Sequence, residues 1–150
     1  MRLTRYTDYA IRTLAYLAAR PERLSSIAEV AAAYGVSQNH LMKVVHELAK
    51  AGYVETVRGR SGGMRLAKPA GAITVGEIVR LTEDGFDLVD CGSCAINGVC
   101  GVKGALAEAT RAFLGVLDRH SFETPGGGAA LRMALDQTPR LSADCAAQDA

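Results

Sequence analysis

The run SSIAEVAAAYGVSQNHLMKVVHELAKAGYVETVRGRSGGMRLAKP, residues 25–69, leaves few folds open to this chain. Its first part predicts a short helix. Ser25 or Ser26 can cap it, Ile27, Val30 and Ala31 form an apolar stripe, and Gly35 ends it. After a turn at Gly35-Val36, Ser37 caps a further helix in which Leu41, Val44, Val45 and Leu48 face inward and Gly52 is the stop. A short helix, a Gly-containing turn and a second helix have helix-turn-helix spacing, although many helical hairpins share it. The residues that follow narrow the choice. Tyr53, Val54, Thr56 and Val57 pattern as a strand, residues 58–63 turn, and Met64-Arg65-Leu66 return. A basic hairpin directly behind a helix-turn-helix is a winged-helix arrangement.

Two groups of side chains on this unit suit duplex DNA. Ser37, Gln38, Asn39, His40 and Lys43 lie at the N-terminal, outward-facing end of the third helix. Gln and Asn can pair bidentately with adenine, and Lys can reach guanine or phosphate. Arg58, Arg60 and Arg65 surround Ser61 and Gly62 in the hairpin, where they have little structural work and can reach phosphates or a minor groove. The plainer alternative, a solvated helix face, loses ground beside the basic wing. His46 and Glu47 read as ordinary surface residues. Charge follows the same division. Residues 1–70 carry 11 Lys+Arg against 5 Asp+Glu, and residues 71–150 carry 6 against 11, so only the first half suits a polyanion.

Around this unit the pattern is helical. Tyr6, Ala10, Leu14 and Leu17 recur at helical spacing between Thr4 and Ala19, with Pro21 beyond the end. TVGEIVRLTED predicts a short helix capped by Thr74 with Glu77 at the box position. Further on, Val102, Leu106, Ala109, Phe113 and Val116 alternate spacings of four and three, the seam of a helix that pairs with another. The DNA-binding half offers no surface of that length, so the expected partner is a second copy. A linker, a short helix near Ala129–Leu135 and a frayed end complete the chain. The expected fold is mainly α with a small β-hairpin wing: a winged helix-turn-helix over 1–70, then a linker helix, cysteine loop and dimerisation helix over 71–124, then a short helix and tail over 125–150. No apolar run approaches the roughly 20 residues that cross a bilayer. The expectation is a cytoplasmic protein without a membrane anchor. No Ser/His/Asp or phosphate-loop pattern marks an enzyme.

Cys91, Cys94 and Cys100 fall within DCGSCAINGVC, and the chain's one other cysteine is Cys145, to which no role attaches. Reduced thiols are expected in a cytosolic protein, so the cluster suits metal or redox sensing better than a structural staple. A structural zinc would want a fourth ligand of comparable reach, and a second CxxC or HxxxH is absent. Three thiolates one ligand short suit an iron–sulfur cluster better. Zinc, a thiol–disulfide switch, buried thiols without a role, and an iron–sulfur electron carrier stay open as alternatives.

MRLTRYTDYAIRTLAYLA, YGVSQNHLMKVVHELAKAGYVETVRGRSGGMRLAKPA, ITVGEIV and the three cysteines ahead of a long helix resemble the Rrf-two family of bacterial winged-helix regulators. The resemblance covers residues 1–122. TDYAIR, VSQNHLMKVV and CGVKGALAEATRAFLGVLDRHS are most similar to its nitric-oxide-sensitive repressors. The family's iron–sulfur assembly regulators carry a histidine three residues after the last cysteine; here that position is Lys103. What the resemblance implies is a homodimer crossed through its long helices, repressing transcription from a near-palindromic operator, with nitric oxide, or redox or iron status, as signal. It implies an iron–sulfur cluster, a four-iron form in preference to a two-iron form, held by Cys91, Cys94 and Cys100 with Asp8 of the partner subunit as fourth ligand. Only Gly92 and Ser93 separate the first two cysteines, a shorter gap than the family's usual one.

Overall fold

Local capping sets where three of the helices begin. In the computed structural model, which describes residues 2–123 and 128–137, α1 spans Arg5–Ala18 behind Thr4, whose hydroxyl accepts from the Thr7 amide. α2 (Ile27–Tyr34) starts at a full capping box between Ser26 and Glu29 and ends at Gly35 in the left-handed region, φ 63°. α3 (Gln38–Lys50) follows Ser37 and stops before Gly52, φ 77°. α4 (Val75–Thr82) repeats the capping box with Thr74 and Glu77. α5 spans Gly101–Leu117 and α6 Ala129–Gln137. A 3₁₀ turn at Ala70–Ala72 leads into α4.

The predicted stripes converge on one core. Ala10, Leu14 and Leu17 of α1, Val30 and Ala31 of α2, and Leu41, Val44, Val45 and Leu48 of α3 are all buried, closed by Val54, Met64, Ile73 and Ile78. The wing is an antiparallel pair, β1 (Val54–Val57) and β2 (Gly63–Leu66), in the register Val54↔Leu66, Glu55↔Arg65, Thr56↔Met64 and Val57↔Gly63. Met64 also bridges Ser25 through reciprocal backbone hydrogen bonds of 3.0 and 2.8 Å. The root of α2 is thereby stitched to the wing.

The chain returns to α4 after α5. Ser121 bridges Thr74, the Phe122 amide donates to the Ile73 carbonyl at 3.1 Å, and Phe122 is buried. Arg80 clasps Asp118 through two bonds of 2.5 and 2.7 Å. No residue of α5 itself is buried, and Val102 and Val116 of the predicted seam are 62% and 43% exposed. α6, two residues longer at its end than expected, lies on the end of α1: Arg132 donates to the Ala19 carbonyl and Asp136 accepts from Arg20. No helix among the described residues is long and apolar enough to cross a membrane. The expected linker over 124–127 and the terminal residues from 138, Cys145 included, lie outside the described residues.

Candidate nucleic-acid interface and cysteine loop

Because Leu41, Val44, Val45 and Leu48 turn one side of α3 into the core, the opposite side is presented outward. Gln38, Asn39, His40, Met42, Lys43 and His46 are all exposed there. The four predicted recognition residues therefore share one accessible surface. Ser37 stands at the N-cap as expected, but its hydroxyl makes no capping bond. The first-turn amides thus lack a side-chain acceptor, and a helix start in that state favours a phosphate oxygen.

At the wing, Arg58, Arg60 and Ser61 are exposed at the tip. Gly62 is required by the turn. A Cβ there would sit 2.2 Å from the Val57 carbonyl oxygen and 2.9 Å from that of Gly59, both backbone atoms. Arg65 differs from the expectation that all three arginines are structurally idle. Its Nε donates to Glu55 Oε2 at 2.9 Å across the hairpin register, and that bond raises the guanidinium pKa. Cross-strand opposition of unlike charges explains the pairing. Arg65 neutralises an acidic neighbour, and Arg58 and Arg60 are the wing's uncommitted cations among the described residues.

Sequence reasoning missed a junction between α1 and α4. The Glu83 carboxylate, just past α4, accepts from the Thr4 amide at 2.8 Å, from the Thr4 hydroxyl at 3.0 Å and from the Thr7 hydroxyl; Thr7 also bonds the Thr82 hydroxyl at 2.8 Å. Partial burial opposes ionisation of Glu83, and the bonds from Thr7 and Thr4 outweigh it, holding the carboxyl below its usual range. The junction joins residues 79 apart in sequence, so no local pattern could disclose it. Glu83→Gln is expected to lower the melting temperature by roughly 2–4 °C at neutral pH. Because the folded pKa is depressed, the native carboxylate stabilises the fold above the ordinary glutamate range, and this contribution fades as pH falls through the depressed value. Melts of both proteins from neutral pH into acid should therefore converge; a constant gap would remove the carboxylate charge from the junction.

Beyond Glu83 comes the cysteine loop. Asp90 organises its start: Oδ1 accepts from the Gly92 amide at 2.9 Å and Oδ2 from the Ser93 hydroxyl at 3.0 Å. The bond from Ser93, then the Gly92 and Ser93 amides, hold the Asp90 carboxyl below its usual range. The short gap between Cys91 and Cys94 is therefore a closed turn folded on Asp90. Lys103 Nζ donates to Asn97 Oδ1 at 2.9 Å, tying the loop to the first turn of α5. Phe86, Leu88, Val89, Cys91, Leu106 and Thr110 line an open cleft of about 870 Å³.

Cys91, Cys94 and Cys100 are three free thiols, Cys94 exposed and the others half-buried. Soft thiolates of that number, accessible and not joined in a disulfide, fit an iron–sulfur cluster in kind, one ligand short. They do not converge. Among the described residues no three His, Cys, Asp or Glu side chains are placed to hold a metal ion. Asp8 is half-buried in the first turn of α1 and accepts from Arg12 Nε at 2.8 Å, one helical turn on. Within one chain it is thus an i,i+4 ion-pair member, not a ligand to its own loop.

Residues 3–124 match the model of the Rrf2 family, described as iron-dependent transcriptional regulators. The chain is 50% identical over 127 residues to the HTH-type transcriptional regulator NsrR of Bacillus subtilis, covering 81% of this chain and 87% of that protein. It is 49% identical over 127 residues to NsrR of Shouchella clausii, covering 81% and 85%. Among solved structures, it is similar to CymR, the global cysteine regulator of B. subtilis, with a TM-score of 0.71 and 26% identity over 82% of this chain and 94% of that one. T. potens IscR gives 0.66 and 25%, covering 93% of each.

Proposed function

Because the chain belongs to the Rrf2 family of iron-dependent transcriptional regulators and is an NsrR-like, non-enzymatic regulator, we propose that it is a homodimeric repressor whose operator affinity depends on an iron–sulfur cluster sensitive to nitric oxide. The observation that carries the reading is the path of α4. Val75 and Ile78 pack it on the core of the winged unit, Thr82 and the Glu83 that follows it hold the start of α1, and the chain then enters the loop of three thiols.

Cys91, Cys94 and Cys100 would hold the cluster, with Asp8 of the partner subunit as fourth ligand. When bound, the cluster supplies iron reactive toward nitric oxide and oxidants. The rest belongs to the chain. Gln38, Asn39, His40 and Lys43 read bases, while Ser37, Arg58, Arg60, Ser61, Gly62 and Arg65 form the surrounding contact surface. Ordering of residues 91–100 is transmitted to α1 through Glu83 and Thr7, and to α5 through Lys103. The apolar seam of α5 pairs with its counterpart and sets the separation of the two recognition helices. A coupling of about 1–3 kcal/mol between loop and operator would change affinity roughly 5- to 150-fold.

The test is anaerobic. Protein purified without oxygen is expected to contain iron and acid-labile sulfide and to bind its operator as a dimer, and nitric oxide should weaken that binding. Zinc without sulfide would move the cysteines to a zinc or thiol switch, and equal operator affinity of cluster-bearing and stripped protein would sink the linkage.

A further inference from the structure

One exposed residue on the recognition surface is out of character. Met42 is 49% exposed. Asn39, Met42, Lys43 and His46 stand at spacings of three, four and seven on α3, so they form one stripe opposite buried Leu41, Val44, Val45 and Leu48. The stripe is otherwise polar. A thioether accepts hydrogen bonds weakly and donates none, so Met42 neither holds a phosphate nor reads a base-edge donor pattern. In a major groove the one feature complementary to it is the C5-methyl group of thymine, the groove's apolar mark. Methionine, unbranched and polarisable, adapts its shape to such a methyl.

We propose that Met42 is a specificity-determining residue that reads a thymine methyl in each operator half-site. The inference rests on the DNA-binding reading of α3 and deepens it. Flanking Asn39 and Lys43 fix the register of the helix on the groove, and Met42 then selects thymine at one position by excluding water from its methyl. Cytosine at that position presents an amino donor and no methyl, leaving the thioether against a polar edge.

The experiment removes the methyl alone. The full-length dimer, with an operator obtained by selection from random duplexes, is titrated against a series in which each thymine is replaced by deoxyuridine. At one position per half-site, or two adjacent ones, the unaltered protein should lose about fourfold, the worth of one buried methyl. Met42→Ala, which removes the contact from both half-sites of the dimer, should bind the parent duplex about 16-fold more weakly and be indifferent to uridine there, while Met42→Leu should keep the discrimination. Indifference of the unaltered protein to uridine throughout, or an undiminished uridine penalty in Met42→Ala, overturns the proposal and leaves the regulator reading standing. Absence of any sequence-selective, salt-dependent binding overturns both. The uridine series on the unaltered protein needs no variant to fold.

Discussion

Replacing Arg58 and Arg60 together by alanine is expected to weaken binding to duplex DNA by about 10- to 100-fold near physiological salt. Both are exposed at the wing tip, and neither has an acidic partner among the described residues. Free of internal pairing, their charge is available for phosphates, and each phosphate contact releases counterions. The slope of log affinity against log salt should therefore become shallower by about two. Anisotropy titrations over a salt series measure both quantities. Thermal stability should stay within about 0.5 kcal/mol, since nothing in the fold leans on either side chain. An affinity within twofold of the unaltered protein, with an unchanged slope, would detach the wing from DNA. Arg65→Ala acts by another route, because it leaves Glu55 as a bare negative charge on the same hairpin.

Leu48→Ala should cost about 2–5 kcal/mol in stability, the usual cost of truncating a fully enclosed leucine. Leu48 is 0% exposed and belongs to the core cluster in which α3 packs on α1 and on the first wing strand. The melting temperature is expected to fall by roughly 5–15 °C, with denaturant titration giving the matching free energy. DNA binding should fail over the same temperature interval, because the outward stripe of α3 is oriented by this inward one. A loss under about 1 kcal/mol would show that α3 is not seated on its Leu41–Leu48 face.

The winged unit was legible because its determinants are local. Ser26 and Glu29, or Thr74 and Glu77, stand three residues apart, and the helix stops at Gly35 and Gly52 follow from a backbone only glycine adopts freely. Hairpin register follows from alternation and turn length. What stayed hidden is non-local or directional. Phe122 enters the core by pairing with Ile73, a contact that no window of helical periodicity contains. Glu83 reads as a residue trailing a helix until Thr4 and Thr7 are brought beside it. Arg65 was visible as a charge but not as a committed one, although the hairpin register that sets it opposite Glu55 was within reach of the sequence. For the cysteines, spacing disclosed the donor set. Convergence of thiols depends on side-chain directions, which spacing does not encode.

The return of the chain after α5 has a mechanical consequence. Asp118 with Arg80, Ser121 with Thr74 and Phe122 with Ile73 all fasten the C-terminal end of this helix, whereas its first residue follows directly on Cys100. The 17 residues make a rod of about 25 Å, fastened at one end and continuous with the cysteine loop at the other. Displacing the Cys100 end by about 2 Å would swing the rod through roughly 5°. A displacement of the Cys100 end would thus reach the exposed apolar residues of α5 as a rotation, and in a twofold pair of such rods the angle between them would change by twice as much.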